Sequence, residues 1–210
     1  MKKLTIQNLI LDYTDVENKI QRIGLQILED NIGKSKIILF GISDNGKLIA
    51  KKLIAYINKI SKIEIELIKV NFENDYILYD KKFIVENESV LIVGDVSHSG
   101  KTIQLVISDL MQYNPLKIKT SVIVNRDHAL FPVKIDYSGL SLSTSVNEHV
   151  DVIIDEKKRL TSLMLSAFTT VFDKAPSGPF ITDGKSMSML ESSFLVATNL
   201  LLNRFLSEKS

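Results

Sequence analysis

The chain has 210 residues, 45% of them hydrophobic and 24% charged, with 26 basic against 25 acidic side chains. That is enough chain for one domain with an elaboration, and so even a balance leaves no overall field to draw in nucleic acid except through a local patch. With no cysteine, disulfides, thiolate zinc sites and cysteine nucleophiles are all excluded.

In chain order, Met1-Lys2-Lys3-Leu4 runs straight into polar residues, which makes no secretory apolar core, so a cytoplasmic chain is the expectation. Apolar residues at 16, 20, 23, 27 and 28 predict a helix over Val16–Asp30, capped by Asp15 and ended by Asn31 and Gly33. Ile37–Phe40 reads as a buried strand stopped by Gly41, and Lys47–Ile60 as a helix. Ile63–Val70, Val90–Val93 and Lys117–Val124 are further strands, with a helix over Thr102–Tyr113 between the last two. Alternating strands and helices predict an α/β fold: a mainly parallel twisted sheet with helices on both faces. Ligands of such sheets sit beyond the carboxyl ends of the strands, which singles out the loops Gly41–Gly46 and Gly94–Thr102.

The second loop lies in "VLIVGDVSHSGKT", Val90–Thr102. A nucleoside-triphosphate loop of the Gly-x4-Gly-Lys-Ser/Thr kind needs four residues between its glycines, whereas Gly94 and Gly100 are separated by five, Asp95–Ser99. The added residue changes how the amides are aimed, and Asp95 sets a negative charge where a polyphosphate would lie. The stretch instead resembles the type I phosphoribosyltransferases in register: four apolar strand residues, Gly94-Asp95 in place of an acidic pair, the spacers Val96-Ser97-His98, then Ser99-Gly100-Lys101-Thr102 opening a helix. By that resemblance Val96, Ser97, His98, Ser99, Gly100, Lys101 and Thr102 ring a 5-phosphate with main-chain N–H groups and hydroxyls, at a helix start that favours anions. Asp95 is then the catalytic acid that holds the ribose hydroxyls as positive charge develops at C1.

A second stretch, Ile123–Val152, narrows the branch. Arg126, His128, Pro132, Asp136, Tyr137, Gly139, Thr144 and Ser145 stand where the pyrimidine operon attenuator/uracil phosphoribosyltransferase family has matching types. The helix "IQRIGLQILED" resembles that family's first helix, and the likeness covers roughly residues 10 to 155. It implies a ligand that is 5-phosphoribosyl diphosphate or a nucleotide, a base of the uracil class facing Arg126 and Asp127, and Mg2+ carried with the diphosphate rather than held by a protein metal site. The rival reading is a catalytically degenerate regulatory or assembly protein of the same fold.

Three departures bear on catalysis. The first acid of the pair is Gly94, leaving Asp95 alone. The pyrophosphate loop, Gly-Ile-x-Thr-Arg-Gly in the family, is here Gly41-Ile42-Ser43-Asp44-Asn45-Gly46, with Lys47 as the nearest cation. The long lid is represented by a shorter segment, Asn71–Glu88, without the family's arginine. Each lost transition-state contact typically costs about 2–4 kcal/mol. RNA binding is disfavoured, because Gln21, Leu25, Ala129 and Leu140 replace polar or basic types, although Arg22, Arg126 and His128 remain. His98 reads as an exposed spacer, Asp127 slightly better as a turn residue than as a base contact, and His128 and His149 as surface or packing residues.

The division expected is a phosphoribosyltransferase-like domain over 1–158 and a helical extension over 159–210. Within the extension, Arg159–Asp173 has helical apolar spacing, Lys174–Ser186 is a Pro/Gly-rich connector, and Ser186–Ser207 is apolar around most of a helix. Polar residues interrupt that last stretch before it could span a bilayer. It calls for cover, either in a subunit interface or by packing on the core over the site, and a homodimer or higher homo-oligomer is the expectation.

Overall fold

The computed structural model describes residues 4–74, 76–126, 129–143, 148–155 and 160–169, all within one compact unit, Lys2–Val171. The unit holds two sheets. The larger has six strands in the order β4 (Tyr76–Tyr79), β3 (Glu64–Glu73), β2 (Lys36–Ile42), β5 (Ser89–Ser97), β6 (Lys117–Arg126) and β7 (Tyr137–Leu142), and every neighbouring pair is parallel except β3 with β4. The smaller is antiparallel in the order β1 (Leu4–Leu11), β9 (Leu160–Thr169) and β8 (Glu148–Asp155).

Helix α1 (Tyr13–Glu29) begins at a capping box. Asp12 is the cap, accepting from the Asp15 amide at 2.8 Å, and Asp15 accepts back from the Asp12 amide at 3.3 Å. Asp15, expected as the cap, is thus its reciprocal partner. Val16, Ile20, Ile23 and Ile27 are all buried, as their spacing predicts.

Strand β2 (Lys36–Ile42) lies between β3 (Glu64–Glu73) and β5 (Ser89–Ser97), and its alternate residues feed two cores. Ile37 and Leu39 join α1 and α2 (Ser43–Ile60) on one face, while Ile38 and Phe40 join α3 (Lys101–Leu110) on the other. A strand buried on both faces needs an unbroken apolar run, which is why "IILF" lacks polar alternation. Each fully buried Ile or Leu contributes about 1.5–3 kcal/mol over an exposed one.

The segment 71–88 is no open lid. It completes β3, turns at Asn74 (φ 49°) and returns as β4 (Tyr76–Tyr79). Tyr79 and Phe83 then pack edge-on against Phe40, with ring centroids 5.7 and 5.0 Å away. The Tyr79 hydroxyl donates to Asp109 at 2.5 Å, and burial followed by that carboxylate pushes the phenol well above its ordinary range. Val85 is fully buried.

Strands β6 (Lys117–Arg126) and β7 (Tyr137–Leu142) complete the sheet. The motif Asp136-Tyr137-Ser138-Gly139 docks β7. Asp136 accepts from the Thr120 amide and from Lys119 at 3.0 Å each, and the Tyr137 hydroxyl donates to Asp30 at 2.5 Å. A Cβ on Gly139 would stand 2.6 Å from the Ile123 carbonyl oxygen, so the close approach of the two strands demands glycine there.

Strands β1 (Leu4–Leu11), β8 (Glu148–Asp155) and β9 (Leu160–Thr169) were not anticipated, and β9 corrects the helix expected over 159–173. The same segment alternates Ser162, Met164, Ser166 with Leu163, Leu165, Ala167, so both periods fit, and two-sided pairing to β1 and β8 decides for the strand. The expected boundary after residue 158 therefore falls between two paired strands. The connector and the apolar helix expected over 174–207 lie outside the described residues.

Candidate functional site

Strand β5 delivers the site. Its apolar run ends at Val93, Asp95 and Val96 are half-buried, and Ser97 is buried. The chain bends at His98–Gly100 and enters α3 at Lys101. Gly100, with φ 81°, is the residue before the helix; a left-handed turn there is costly for any other side chain. Ser99 shapes the bend from both ends: its hydroxyl accepts from the Lys101 amide at 3.3 Å, and its carbonyl accepts from the Leu130 and Phe131 amides at 2.9 and 3.0 Å. A cavity of about 80 Å³ opens here, lined by Val96 through Ile103. The first amides of α3 have no carbonyl one turn earlier, so this hollow offers N–H donors, hydroxyls and the positive end of a helix together. All seven residues expected to ring a phosphate, 96–102, line it.

The second expected loop does not exist as a loop. Strand β2 runs to Ile42, and α2 begins at the next residue, Ser43, whose φ of 61° makes the turn by itself. Ser43, Asp44, Asn45, Gly46 and Lys47 are therefore the first helical turn. It presses against the neighbouring strands: a Cβ on Gly46 would stand 2.5 Å from the Val93 carbonyl oxygen, and one on Gly41 2.7 Å from the Lys47 Cα. This contact carries Asn45 to β5, where its side-chain amide donates to Asp95 at 2.9 Å. Asp95 also accepts from the Val96 amide at 2.8 Å, so its carboxylate is fixed by two donors beside the cavity. A carboxylate has about four acceptor positions, which leaves room for ribose hydroxyls.

The charges of this turn are committed. Lys47 pairs with Asp80 at 2.9 Å and Asp44 with Lys69 at 2.6 Å. Burial pushes the Asp80 carboxyl up, but the Lys69 amide and the Lys47 ammonium more than offset it and hold it below the usual range. The hydrogen bond and charge of Lys69 lower Asp44 likewise. Lys47, the cation nearest the place of the family's arginine, is thus occupied by Asp80, with the Lys69–Asp44 pair beside it. The clue to Lys69 was its place at the carboxyl end of a strand; Asp80 gave no signal before the β3–β4 hairpin was known.

Arg126, at the end of β6, lies 3.0 Å from His98 Nδ1, so His98 is a partner to the candidate base-facing arginine rather than an exposed spacer. A guanidinium only donates, so this nitrogen is the acceptor. Asp127, His128, Thr144 and Ser145 lie outside the described residues, as does the side chain of His149. Arg22 donates to the Ser138 and Gly139 carbonyls at 2.7 and 2.9 Å, which makes it part of the β7 docking rather than a residue displayed for RNA.

The sequence matches the phosphoribosyl transferase domain family over residues 7–157. Among curated proteins, the bifunctional protein PyrR of Streptococcus thermophilus is 28% identical over 157 residues, covering 70% of this chain and 90% of that protein. The PyrR of Geobacter sulfurreducens is 29% identical over 169 residues, covering 74% and 96%. Among solved structures, a hypoxanthine phosphoribosyltransferase of Trypanosoma cruzi has a TM-score of 0.64 at 14% identity, over 77% of this chain and 97% of that one. A hypoxanthine-guanine phosphoribosyltransferase of Bacillus anthracis has a TM-score of 0.62 at 16% identity, over 76% and 99%. Both likenesses establish the fold.

Proposed function

The chain belongs to the phosphoribosyl transferase domain family, and from that membership we propose that it binds the 5-phosphate of a ribose, carried by a nucleotide or by 5-phosphoribosyl diphosphate, in the β5–α3 turn. The observation that carries the reading is the hollow lined by Val96 through Ile103 at the start of α3. There the phosphate oxygens accept from main-chain N–H groups and from the hydroxyls of Ser99 and Thr102. The fixed carboxylate of Asp95 accepts from the ribose hydroxyls, and Arg126 with His98 borders the side where a base extends.

A second reading, transfer of the phosphoribosyl group to uracil or a related base, is favoured by the way Asn45 and the Val96 amide orient Asp95. In that reaction the bond from C1 to the diphosphate oxygen breaks, the base nitrogen bonds to C1 and gives up its proton to solvent, and the diphosphate leaves with the electron pair of the broken bond. Asp95 then stabilises the cationic ribose. The names of the PyrR relatives are consistent with a pyrimidine context, and the degenerate reading rests on Gly94 and the internally paired charges of α2. Among the described residues no three His, Asp or Glu side chains converge as a protein metal cage requires. A magnesium ion carried on the diphosphate would be held mainly by the ligand's own oxygens.

Calorimetric titration with uridine 5′-monophosphate, run beside an assay of uracil plus 5-phosphoribosyl diphosphate, tests both readings. Binding with turnover below about 1 s⁻¹, the low end of ordinary enzymes, supports the binding reading. Ordinary turnover moves the second reading into first place, and no binding of either compound removes both. A homo-oligomer remains part of the proposal on the composition of 186–207 alone, and light scattering on the full chain checks it.

A further inference from the structure

The β2–α2 start adjoins the phosphate turn on the Asp95 side. Asn45 reaches Asp95 from it at 2.9 Å, and β2 and β5 are hydrogen-bonded neighbours, about 4.8 Å apart. A ribose whose 5-phosphate fills the cavity and whose hydroxyls meet Asp95 therefore turns its C1 end toward the first turn of α2. Anything negative attached at C1 has to be received there.

Four charged groups meet at that turn: Lys47 with Asp80, and Lys69 with Asp44. They sum to zero. Asp80 is held in place from a second direction, because its other carboxylate oxygen accepts from the Lys69 amide at 2.8 Å. It follows β4 directly, so the β3–β4 hairpin presents it to Lys47. A diphosphate arriving at this place meets two ammonium groups already neutralised, with two carboxylates facing it.

We infer that Asp80, held by the β3–β4 hairpin against Lys47, is a specificity-determining residue that makes this site select ribose ligands with a single phosphate, nucleoside 5′-monophosphates, over ribose ligands with a diphosphate at C1. The inference rests on the phosphate-turn reading given above and refines it to a ligand class. Asp80 touches no part of a bound monophosphate; it acts by occupying the cation that a diphosphate requires.

The test is calorimetric titration of the full chain, with magnesium present, using uridine 5′-monophosphate and 5-phosphoribosyl diphosphate as separate probes. The wild type is expected to bind the monophosphate at least tenfold more tightly. Asp80→Asn keeps an oxygen for the Lys69 amide but frees Lys47, and it is expected to raise diphosphate affinity at least tenfold while monophosphate affinity stays within twofold. Asp80→Glu, which keeps the charge, is expected to give no such gain. A wild type that prefers the diphosphate overturns the inference without any variant being needed. So does an Asp80→Asn protein with unaltered diphosphate affinity and normal monophosphate binding, while the phosphate-turn reading survives. If the wild type binds neither compound, that underlying reading falls and this one falls with it.

Discussion

The turns after β5 and after β2 stand side by side at the carboxyl ends of neighbouring strands, yet they are built on opposite plans. The β5–α3 turn spends three residues, His98–Gly100, on a bend that keeps a hollow between strand and helix. The β2–α2 junction spends none: Ser43 reverses the chain alone, and Gly46 lets the helix close onto Val93. One junction keeps amides open to a ligand, and the other satisfies its charges internally through Asp44–Lys69 and Lys47–Asp80. The lesson is that a strand end in a parallel sheet is a ligand site only where the connection leaves donors unspent.

Substitutions can break or sharpen that contrast. The largest effect is expected at the closed junction. Gly46→Ala forces a Cβ to within 2.5 Å of the Val93 oxygen, and urea denaturation should register a loss of about 3 kcal/mol, the upper end for overpacking. At the open turn, Gly100→Val should cost about 2 kcal/mol of stability for its left-handed backbone, its Cβ meeting the Phe131 oxygen and Val133 Cβ at 3.5 Å, and it should abolish monophosphate binding in calorimetry by displacing the amides of the turn. Away from both, Tyr137→Phe removes the hydroxyl bond to Asp30 and should lower stability by about 1 kcal/mol with binding intact.

Acid should reveal the closed junction's charges. The Asp80 carboxyl lies below its unfolded value, so its contribution is present above an unfolded pKa near 3.9 and is lost as pH falls through the lower folded value. Denaturation midpoints of Asp80→Asn should therefore fall less steeply than wild type below about pH 4. The smallest effect is expected at Gly94→Ala. Its Cβ would meet only Val122 Cγ1, at an ordinary 3.5 Å, so stability should change by less than about 0.5 kcal/mol despite the position two residues from the cavity wall.

Much of this was legible in the sequence. The apolar runs at Ile37–Phe40, Val90–Val93 and Val122–Val124 read as core strands and are buried as such, and Ser99-Gly100-Lys101-Thr102 read as the turn that opens a helix. The order of chemical types there also marked the turn at which the hollow opens. The illegible parts depended on distant partners. Residues 160–169 satisfy both helical and strand periods, and only pairing with β1 and β8 chose between them. Asp80 became informative once a hairpin carried it to Lys47, across 33 residues of chain. The motif at Asp136–Gly139, a match to the family with no role assigned from sequence, fastens an edge strand through Thr120, Asp30 and Arg22.

The claim that the β5–α3 amides hold a ribose phosphate is tested most directly by following ¹⁵N–¹H resonances during titration with uridine 5′-monophosphate. The account predicts saturating shifts concentrated in the amides of Ser97 through Ile103, larger than anywhere in α2. A titration that saturates while those amides stay unmoved would contradict it.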